Sequence, residues 1–242
     1  MLTLIAMLRL VTYNVNYANP DVAGAVAALA ETDADVILLQ EVTDAWKGPL
    51  KKLATTYPYQ SFHIQGRRAG GLAVISKQPI KADELWSPPT GGYFPAERLL
   101  VETPLGSVQI LHVHLRPNID NGSWFVGYST TPPVRKKEIE TYWAKIDTSL
   151  PTIVAGDFNE LPDGLAVKFL AEHGLARVPT TGPTTWHYER EVNGKNVSLL
   201  SMDIDHVVVD DKFTVATAEV LDKGASDHRP VVVTLERAPA AP

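Results

Sequence analysis

Short apolar runs recur along the chain and alternate with segments of helical spacing. Runs rich in valine, isoleucine and leucine indicate buried strands, and they cover residues 8–15, 35–39, 59–64, 72–76, 81–85, 98–102, 107–114, 151–155, 203–209, 214–221 and 230–235. Apolar residues at helical spacing predict helices over 21–31, 44–56, 133–146 and 162–172. A two-sheet α/β architecture accommodates this order of elements in a single core.

The longest irregular stretch, residues 116–133, joins the strand that ends at His114 to the helix that begins at Pro133. It contains Trp124, Phe125 and Tyr128, and a connection of this length is usually functional or disordered. The aromatic side chains argue against disorder. They line the rim of a substrate site or pack against the core, and the sequence leaves both interpretations open.

Composition limits the class of protein. The 242 residues carry a net charge of −6 with a pI near 5.6, which gives no electrostatic basis for tight, sequence-independent binding to nucleic acid. The absence of cysteine excludes disulfides and thiolate metal sites. We expect one folded domain over residues 1–237 and a disordered tail over 238–242.

The N-terminal sequence bears on location. Residues 1–8 are apolar but lack the basic region and the cleavage site of a signal peptide, and no stretch reaches the roughly 20 apolar residues that a membrane span needs. The sequence therefore predicts a cytoplasmic protein with no transmembrane segment. We expect it to be a monomer.

Polar side chains stand where the predicted strands end or begin. Those that follow an apolar run are Asn14, Glu41, His114, Asp157 and Asn159, and those that precede one are Asp205, Asp227 and His228. The start of one strand lies beside the end of its antiparallel neighbour, so these groups can meet at one edge of a sheet. Crowded carboxylates repel one another, and a bound cation is a reasonable counter-charge. Oxygen donors favour Mg²⁺ or Mn²⁺ over zinc.

Two stretches carry most of this signal. In 154–159 (VAGDFN) an apolar strand ends at Gly156, which allows a sharp turn and exposes Asp157 and Asn159. In 226–230 (SDHRP) a carboxylate and an imidazole stand side by side before another apolar run. Together they resemble the endonuclease/exonuclease/phosphatase superfamily of metal-dependent phosphoesterases, and the motifs from Asn14 to Pro230 occur in that family's order.

The resemblance implies an α/β fold, a four-layer sandwich of two face-to-face mixed β-sheets flanked by helices (DNase-I-like). The metal-site residues that it implies are Asn14, Glu41 and Asp227, for Mg²⁺ or Mn²⁺, and the catalytic residues are Asp157, Asn159, His114, His228 and Asp205. Asp157 would activate the attacking water. His114 and His228 would contact the scissile phosphate, and Asp205 would orient His228.

Each of these residues has a structural alternative. Asp157 with Asn159 could form an Asx-type turn, Glu41 could cap the following helix, and Asp205 could pair with a surface lysine. His112 lies two residues before His114, so both side chains point to the same face of a strand. Because no further histidine or cysteine cluster completes a zinc site in the sequence, we interpret His112 as structural.

Arginines and aromatic residues are the candidates for substrate binding. Guanidinium groups bind phosphate through paired hydrogen bonds, which makes Arg98, Arg116 and Arg135 candidates alongside Trp124. A structural or solvated position is the alternative for each arginine.

The substrate is narrowed by departures from known branches of the family. Ala155 and Glu160 stand where inositol-polyphosphate 5-phosphatases have tryptophan and arginine, and residues 112–115 differ from the matching stretch of abasic-site nucleases. We therefore expect a phosphodiesterase that prefers small or lipid-type diesters to duplex DNA. The alternatives are a nuclease for single-stranded or damaged nucleic acid, and a non-catalytic binding module on the same fold.

Overall fold

The computed structural model describes residues 6–64, 68–192 and 195–239. Its strands are β1 (Met7–Asn14), β2 (Val36–Gln40), β3 (Tyr59–His63), β4 (Leu72–Ser76), β5 (Ile80–Trp86), β6 (Ala96–Thr103), β7 (Gly106–His114), β8 (Thr152–Asp157), β9 (Leu175–Arg177), β10 (Trp186–Val192), β11 (Lys195–Met202), β12 (Asp205–Asp210), β13 (Phe213–Val220) and β14 (Val231–Arg237). Its helices are α1 (Val22–Ala30), α2 (Asp44–Lys51), α3 (Trp124–Thr130), α4 (Pro132–Trp143) and α5 (Leu165–Glu172).

Two parts of the chain differ from the sequence prediction. The stretch 116–133 was expected to be irregular, but it contains α3, whose N-terminus is capped by Ser123 accepting a hydrogen bond from the Val126 amide. The helix was missed because aromatic and β-branched residues with a central glycine have low helix propensity. The strands β9, β10 and β11 were also missed, because β9 has only three residues and because β10 and β11 are rich in polar residues and form a separate two-stranded ribbon.

The described residues form two six-stranded sheets with helices on their outer faces. The first sheet has the strand order β13-β14-β1-β2-β4-β3, and the second has the order β5-β6-β7-β8-β12-β9. Both sheets are mixed, because β1 runs parallel to β2 and β7 runs parallel to β8 while the neighbouring pairs are antiparallel. The predicted four-layer sandwich is confirmed.

Alternation of side chains along the central strands builds the layers. In β2, Leu38 points into the space between the sheets, and Ile37 and Leu39 point outward against α1 and α2. In β8, Ile153 faces the first sheet and Val154 packs under α4 and α5. These strands are buried on both faces, which explains why they are continuously apolar in sequence.

Sheet register brings the polar strand ends together. Asp205 at the start of β12 lies opposite Asp157 at the end of β8, and His114 at the end of β7 is also aligned with Asp157. Gly156 makes this close alignment possible. It has a φ of +146°, and a Cβ atom at this position would lie 1.8 Å from the Val113 carbonyl oxygen, so no larger residue fits without moving the backbone.

The sequence also led to predictions about membrane spans, the C-terminal tail and the number of domains. Within the described residues, no helix has the length and apolar character needed to cross a bilayer. Of the expected C-terminal tail, residues 240–242 lie outside the described part, while the Ala238 amide donates to the Lys212 carbonyl oxygen at 2.9 Å. The assignment of residues 1–237 to a single domain stays a prediction.

Candidate active site

A cavity of about 650 Å³ opens where the central strands end. The acidic, amide and imidazole side chains that line it are Glu41, His114, Asp157, Asn159, Asp227 and His228, and its aromatic wall is made of Tyr17, Tyr93, Phe94, Trp124, Trp186 and Tyr188. Asn14 and Asp205 do not line the cavity but contact side chains that do. The structure therefore brings together all eight residues that the sequence assigned to metal binding or catalysis.

Tight turns after the strands aim several of these side chains. Asn16, Glu41 and Asn159 all have positive φ angles, of 58°, 62° and 52°. Such angles are uncommon for residues other than glycine, and they cluster at functional sites where the surrounding structure holds them. The turn at Glu41 is held by its neighbour, because the Val42 amide donates to the Gly71 carbonyl oxygen at 3.0 Å.

Hydrogen bonds from the Asn14 side chain and from two backbone amides hold the carboxylates of Glu41 and Asp157 in place. Asn14 Nδ2 donates to Glu41 Oε1 at 3.1 Å and to Asp157 Oδ2 at 3.0 Å. The Tyr17 backbone amide donates to Glu41 Oε2 at 3.0 Å, and the Asn159 backbone amide donates to Asp157 Oδ1 at 2.8 Å. Each carboxylate oxygen accepts one of these hydrogen bonds and keeps a lone pair free for a further ligand.

Asp227 is held by two residues that the sequence did not single out as ligand holders. Asn16 Nδ2 donates to its Oδ1 at 2.8 Å, and Trp186 Nε1 donates to its Oδ2 at 3.1 Å. Trp186 also stacks on Trp124, with ring centroids 5.2 Å apart. No motif marks Trp186, since it lies far from Asp227 in sequence and only the folded chain brings the two together.

The two histidines approach the same carboxylate from different segments, His114 from the end of β7 and His228 from the segment before β14. His228 Nδ1 lies 2.9 Å from Asp205 Oδ2, so it carries the proton that the carboxylate accepts and leaves Nε2 facing Asp157 Oδ2 at 3.8 Å. His114 Nε2 lies 3.5 Å from Asp157 Oδ2 and 3.9 Å from Glu41 Oε1. The His114 ring stacks on Phe94 at 4.0 Å, which fixes its plane.

Burial and neighbouring charges shift the pKa values of the two carboxylates and the two histidines in the cavity. Burial, followed by the charge of Asp205, raises the pKa of Asp157 to about 7, and burial also raises the pKa of Glu41. Burial lowers the pKa of His228, but the charges of Asp205 and Asp157 outweigh it and raise the pKa to about 10. Burial and the charge of His228 lower the pKa of His114 to about 3. One imidazole is thus cationic and the other neutral near pH 7.

The donor set fits a hard divalent cation. Glu41 and Asp227 present carboxylate oxygens to the cavity, and oxygen ligands of this kind suit Mg²⁺ or Mn²⁺. Asn14 turns its NH2 group toward Glu41, and its oxygen accepts from the Asn16 backbone amide at 3.0 Å and keeps one lone pair for a cation. Burial is the main cause that raises the pKa of Glu41 and of Asp157, and positive charge beside these carboxylates would lower both pKa values. A cation at this edge would supply it.

The predicted substrate-binding arginines lie outside the cavity. Arg98 donates to Glu84 Oε1 at 2.8 Å and to Gln109 Oε1 at 2.9 Å, on a face of the second sheet away from the strand ends. Arg135 is buried and paired with Glu160 at 3.3 Å. Arg116 packs its guanidinium 4.5 Å from the centre of the Tyr93 ring, behind the aromatic wall. Of the substrate-binding candidates, only Trp124 lines the cavity.

Arg135 and Glu160 instead support the turn that carries Asn159. Arg135 Nη1 donates to Asn118 Oδ1 at 3.0 Å, and Asn118 Nδ2 in turn donates to the Asn159 carbonyl oxygen at 2.7 Å. Glu160 Oε1 accepts from the Ala166 amide at 2.7 Å at the start of α5. This buried ion pair fixes the segment between β8 and α5, and its effect on the site is indirect.

His206 ties the same segment to β12 and makes stability depend on pH. Its Nε2 donates to the Glu160 carbonyl oxygen at 2.9 Å, and burial lowers its pKa from 6.5 to about 4. The unfolded chain therefore binds a proton that the folded chain does not. Stability is fully present above about pH 6.5 and is lost as the pH falls toward 4, by on the order of 3 kcal/mol for this group.

Urea unfolding at pH 7, 6 and 5 measures this slope. In His206→Gln the free energy of unfolding is expected to depend less on pH, by the contribution of one protonating group. His173→Gln, at the exposed end of α5, is expected to keep the wild-type pH dependence. Equal slopes for wild type and His206→Gln would contradict the assignment.

The stacked mixed sheets and the site at their common edge define a DNase-I-like protein. The sequence profile of the Endonuclease/Exonuclease/phosphatase family matches residues 11–228, and the chain belongs to that family, whose members are generally phosphoester hydrolases that use divalent metals. No curated protein sequence matches the chain.

Solved structures share the fold at low sequence identity. The endonuclease/exonuclease/phosphatase from Beutenbergia cavernae matches with a TM-score of 0.74 and 21% identity, over 97% of this chain and 72% of that one. TDP2 from D. rerio, complexed with single-strand DNA product, matches with a TM-score of 0.73 and 15% identity, over 95% and 99% of the two chains. A family protein from Leptotrichia buccalis has a TM-score of 0.70 and 20% identity, over 95% and 99%.

Proposed function

We propose that the protein is a divalent-metal-dependent phosphodiesterase that cleaves its substrate by in-line attack of water. The observation that carries the proposal is the convergence of Glu41, Asp157 and Asp227 with His114 and His228 on one cavity. Each of these buried charges costs stability unless a ligand or a reaction uses it, and the intact set of acidic groups with two imidazoles favours a catalytic site over a non-catalytic binding module.

Asp157 is the proposed general base. Its Oδ1 is fixed by the Asn159 amide and its Oδ2 by Asn14, so one oriented carboxylate faces the cavity. Burial raises the pKa of Asp157 to about 7 in the metal-free chain, and a bound cation would lower it, so that the carboxylate is ionised and able to take a proton from water near neutral pH. Proton transfer of this kind contributes about 10²- to 10⁴-fold in rate.

The histidines are proposed to bind the phosphate. His228 is protonated and held by Asp205, so its Nε2–H can donate to a non-bridging oxygen as charge develops there. Neutral His114, stacked on Phe94, offers a second ring nitrogen on the other side of Asp157. Mg²⁺ or Mn²⁺ held by Glu41, Asp227 and Asn14 would supply further neutralisation of phosphate charge, worth several kcal/mol.

The wall of the cavity supports a small or lipid-type diester as substrate. It is formed by aromatic and aliphatic side chains such as Trp124, Ile119 and Leu200, which favour an apolar or aromatic substituent over an extended polyanion. The net charge of −6 points the same way, because phosphate backbones are bound mainly through lysine and arginine.

The aromatic wall also favours one second candidate, a nuclease acting on single-stranded nucleic acid. Unpaired bases stack on aromatic side chains, and the Trp124–Trp186 pair with Tyr17 and Tyr188 offers such surfaces. The similar fold of D. rerio TDP2 in complex with single-strand DNA product makes this candidate worth testing beside the first.

A substrate panel separates the two candidates. Small chromogenic diesters, phospholipid head-group diesters and a single-stranded oligonucleotide would be assayed with Mg²⁺ or Mn²⁺, with and without EDTA, over a range of salt concentrations. We expect hydrolysis of the diesters, weak salt dependence and complete loss of activity in EDTA. Preferred cleavage of the oligonucleotide with steep salt dependence would favour the nuclease, and full activity in excess EDTA would contradict the proposal.

A further inference from the structure

A second group of ionisable side chains lies at the side of the sandwich where β3, an edge strand of the first sheet, meets β5, an edge strand of the second. His63 belongs to β3, Asp83 to β5 and Glu97 to β6. We call these three residues the edge cluster. His63 Nε2 lies 2.6 Å from Asp83 Oδ1 and 3.5 Å from Glu97 Oε1, and one ligand atom from each residue lies within 4.8 Å of the others.

Glu97 points into the cluster with an unused oxygen. Its side chain is completely buried, and Oε1 has no hydrogen-bond partner within the described part of the chain. A buried carboxylate oxygen without a partner is costly, and native proteins usually satisfy such an atom with a ligand or ion. The unused oxygen lies 3.5 Å from His63 Nε2, inside the cluster.

Hydrogen bonds through His112 fix the orientation of the Glu97 side chain. His112 Nδ1 donates to Glu97 Oε2 at 2.9 Å, and His112 Nε2 accepts from Gln40 Nε2 at 2.7 Å. Gln40 also donates to Thr12 Oγ1 at 3.0 Å. This chain of buried polar groups crosses from one sheet to the other and leaves Glu97 a single orientation. It also gives a structural role to His112, which the sequence interpretation left without a partner.

The cluster contains two carboxylates and a single imidazole. Asp83 also accepts a hydrogen bond from the Ser61 hydroxyl, and its charge adds to burial in raising the pKa of Glu97 well above its usual range. The side chains of His63 and Asp83 are partly exposed, at 24% and 25%, so an ion can reach the site from solvent. Positive charge is what the arrangement lacks.

We propose that His63, Asp83 and Glu97 bind a divalent transition-metal ion, with Zn²⁺ as the preferred species. One imidazole nitrogen and two carboxylate oxygens are ligands that zinc takes readily, with a fourth position open to water. Ligands about 2.0 to 2.2 Å from a tetrahedral ion lie about 3.3 Å apart. The His63–Glu97 separation already suits this, and the His63–Asp83 contact must open by about 0.7 Å.

The consequence is a clamp between the two sheets. His63 comes from the first sheet and Asp83 and Glu97 come from the second, so an ion bound by all three joins edge strands that otherwise meet through a few side chains. Binding to the folded chain alone raises stability in proportion to the logarithm of the free metal concentration. The site is separate from the cavity and does not depend on the function proposed for it.

Equilibrium dialysis against Zn²⁺, with Mg²⁺ in large excess to occupy the cavity, tests the assignment. We expect the wild-type chain to bind a zinc ion at the edge cluster. We expect the zinc Kd of Asp83→Asn to be at least about 100-fold higher than that of the wild type. Glu84→Gln is the matched control, because Glu84 is the next residue in β5 and pairs with Arg98 on the other face. It is expected to bind zinc like the wild type.

Thermal unfolding gives a readout independent of stoichiometry. With excess Mg²⁺ present throughout, zinc is expected to raise the unfolding temperature of the wild type and of Glu84→Gln by more than that of Asp83→Asn and His63→Ala. His63 is partly exposed on an edge strand, so its replacement is compatible with folding. Zinc binding and stabilisation that survive unchanged in both Asp83→Asn and His63→Ala would overturn the proposal, whatever the activity of the cavity.

Discussion

Replacing Asp157 with asparagine is expected to lower kcat by about 10²- to 10⁴-fold while the fold stays intact. The asparagine has the same shape, and its one side-chain oxygen can keep the hydrogen bond from the Asn159 backbone amide, whereas its NH2 group replaces Oδ2 and gives up the hydrogen bond from Asn14. The loss falls on the step in which water gives up its proton. The KM for a diester is expected to change much less than kcat, because the proposed base acts in the transition state.

The same substitution is expected to stabilise the metal-free protein. Burial and the charge of Asp205 raise the pKa of Asp157 from 3.8 to about 7, so the folded chain holds a proton that the unfolded chain releases. Stability linked to this group is present below pH 3.8 and is lost as the pH rises toward 7. Asparagine cannot ionise, and the variant escapes this loss.

Steady-state kinetics and chemical unfolding in EDTA check both results. Asp163→Asn is a suitable control, since Asp163 is exposed in the segment that follows β8 and is expected to keep wild-type kcat and stability. Wild-type activity in Asp157→Asn would remove the proposed base. A marked destabilisation of the metal-free variant at pH 7 would instead mean that Asp157 is mainly structural.

The central strands and the site at their ends could be predicted because one physical signal marks both. Strands buried on two faces are continuously apolar, so a polar residue such as Asp157 directly after such a run is visible in sequence. Its pairing with Asp205 then follows from antiparallel neighbours sharing an edge.

The remaining features depend on contacts that no local pattern reveals. Trp186 reaches Asp227 from a ribbon whose exposed strands carry no apolar run. Arg98 lies on a predicted strand, but its side chain pairs with Glu84 on the neighbouring strand and does not line the cavity. The edge cluster joins single residues from three strands, and His112 could be interpreted only as an isolated histidine until Glu97 was placed beside it.

Glu41→Gln is expected to weaken Mg²⁺ binding by about 100-fold or more, equivalent to roughly 2.7 kcal/mol. Glutamine can keep the hydrogen bond from the Tyr17 backbone amide through its one side-chain oxygen, but it gives up the hydrogen bond from Asn14 and the negative charge that the cation would neutralise. Burial already raises the pKa of Glu41, which means that its negative charge is costly in the metal-free protein. Removing the charge therefore favours the metal-free fold and lowers the affinity for Mg²⁺.

The direct measurement is the change in unfolding temperature on adding Mg²⁺, which the imidazole-containing edge cluster is not expected to bind. The wild type should be stabilised as Mg²⁺ rises, and Glu41→Gln should respond only at far higher concentrations, where part of the hydrolytic activity also returns. Glu31→Gln is the control, because Glu31 is exposed beside Lys223 and carries no role at the cavity. If Mg²⁺ stabilises Glu41→Gln as strongly as the wild type, the ion is held elsewhere and the proposed arrangement of the site is wrong.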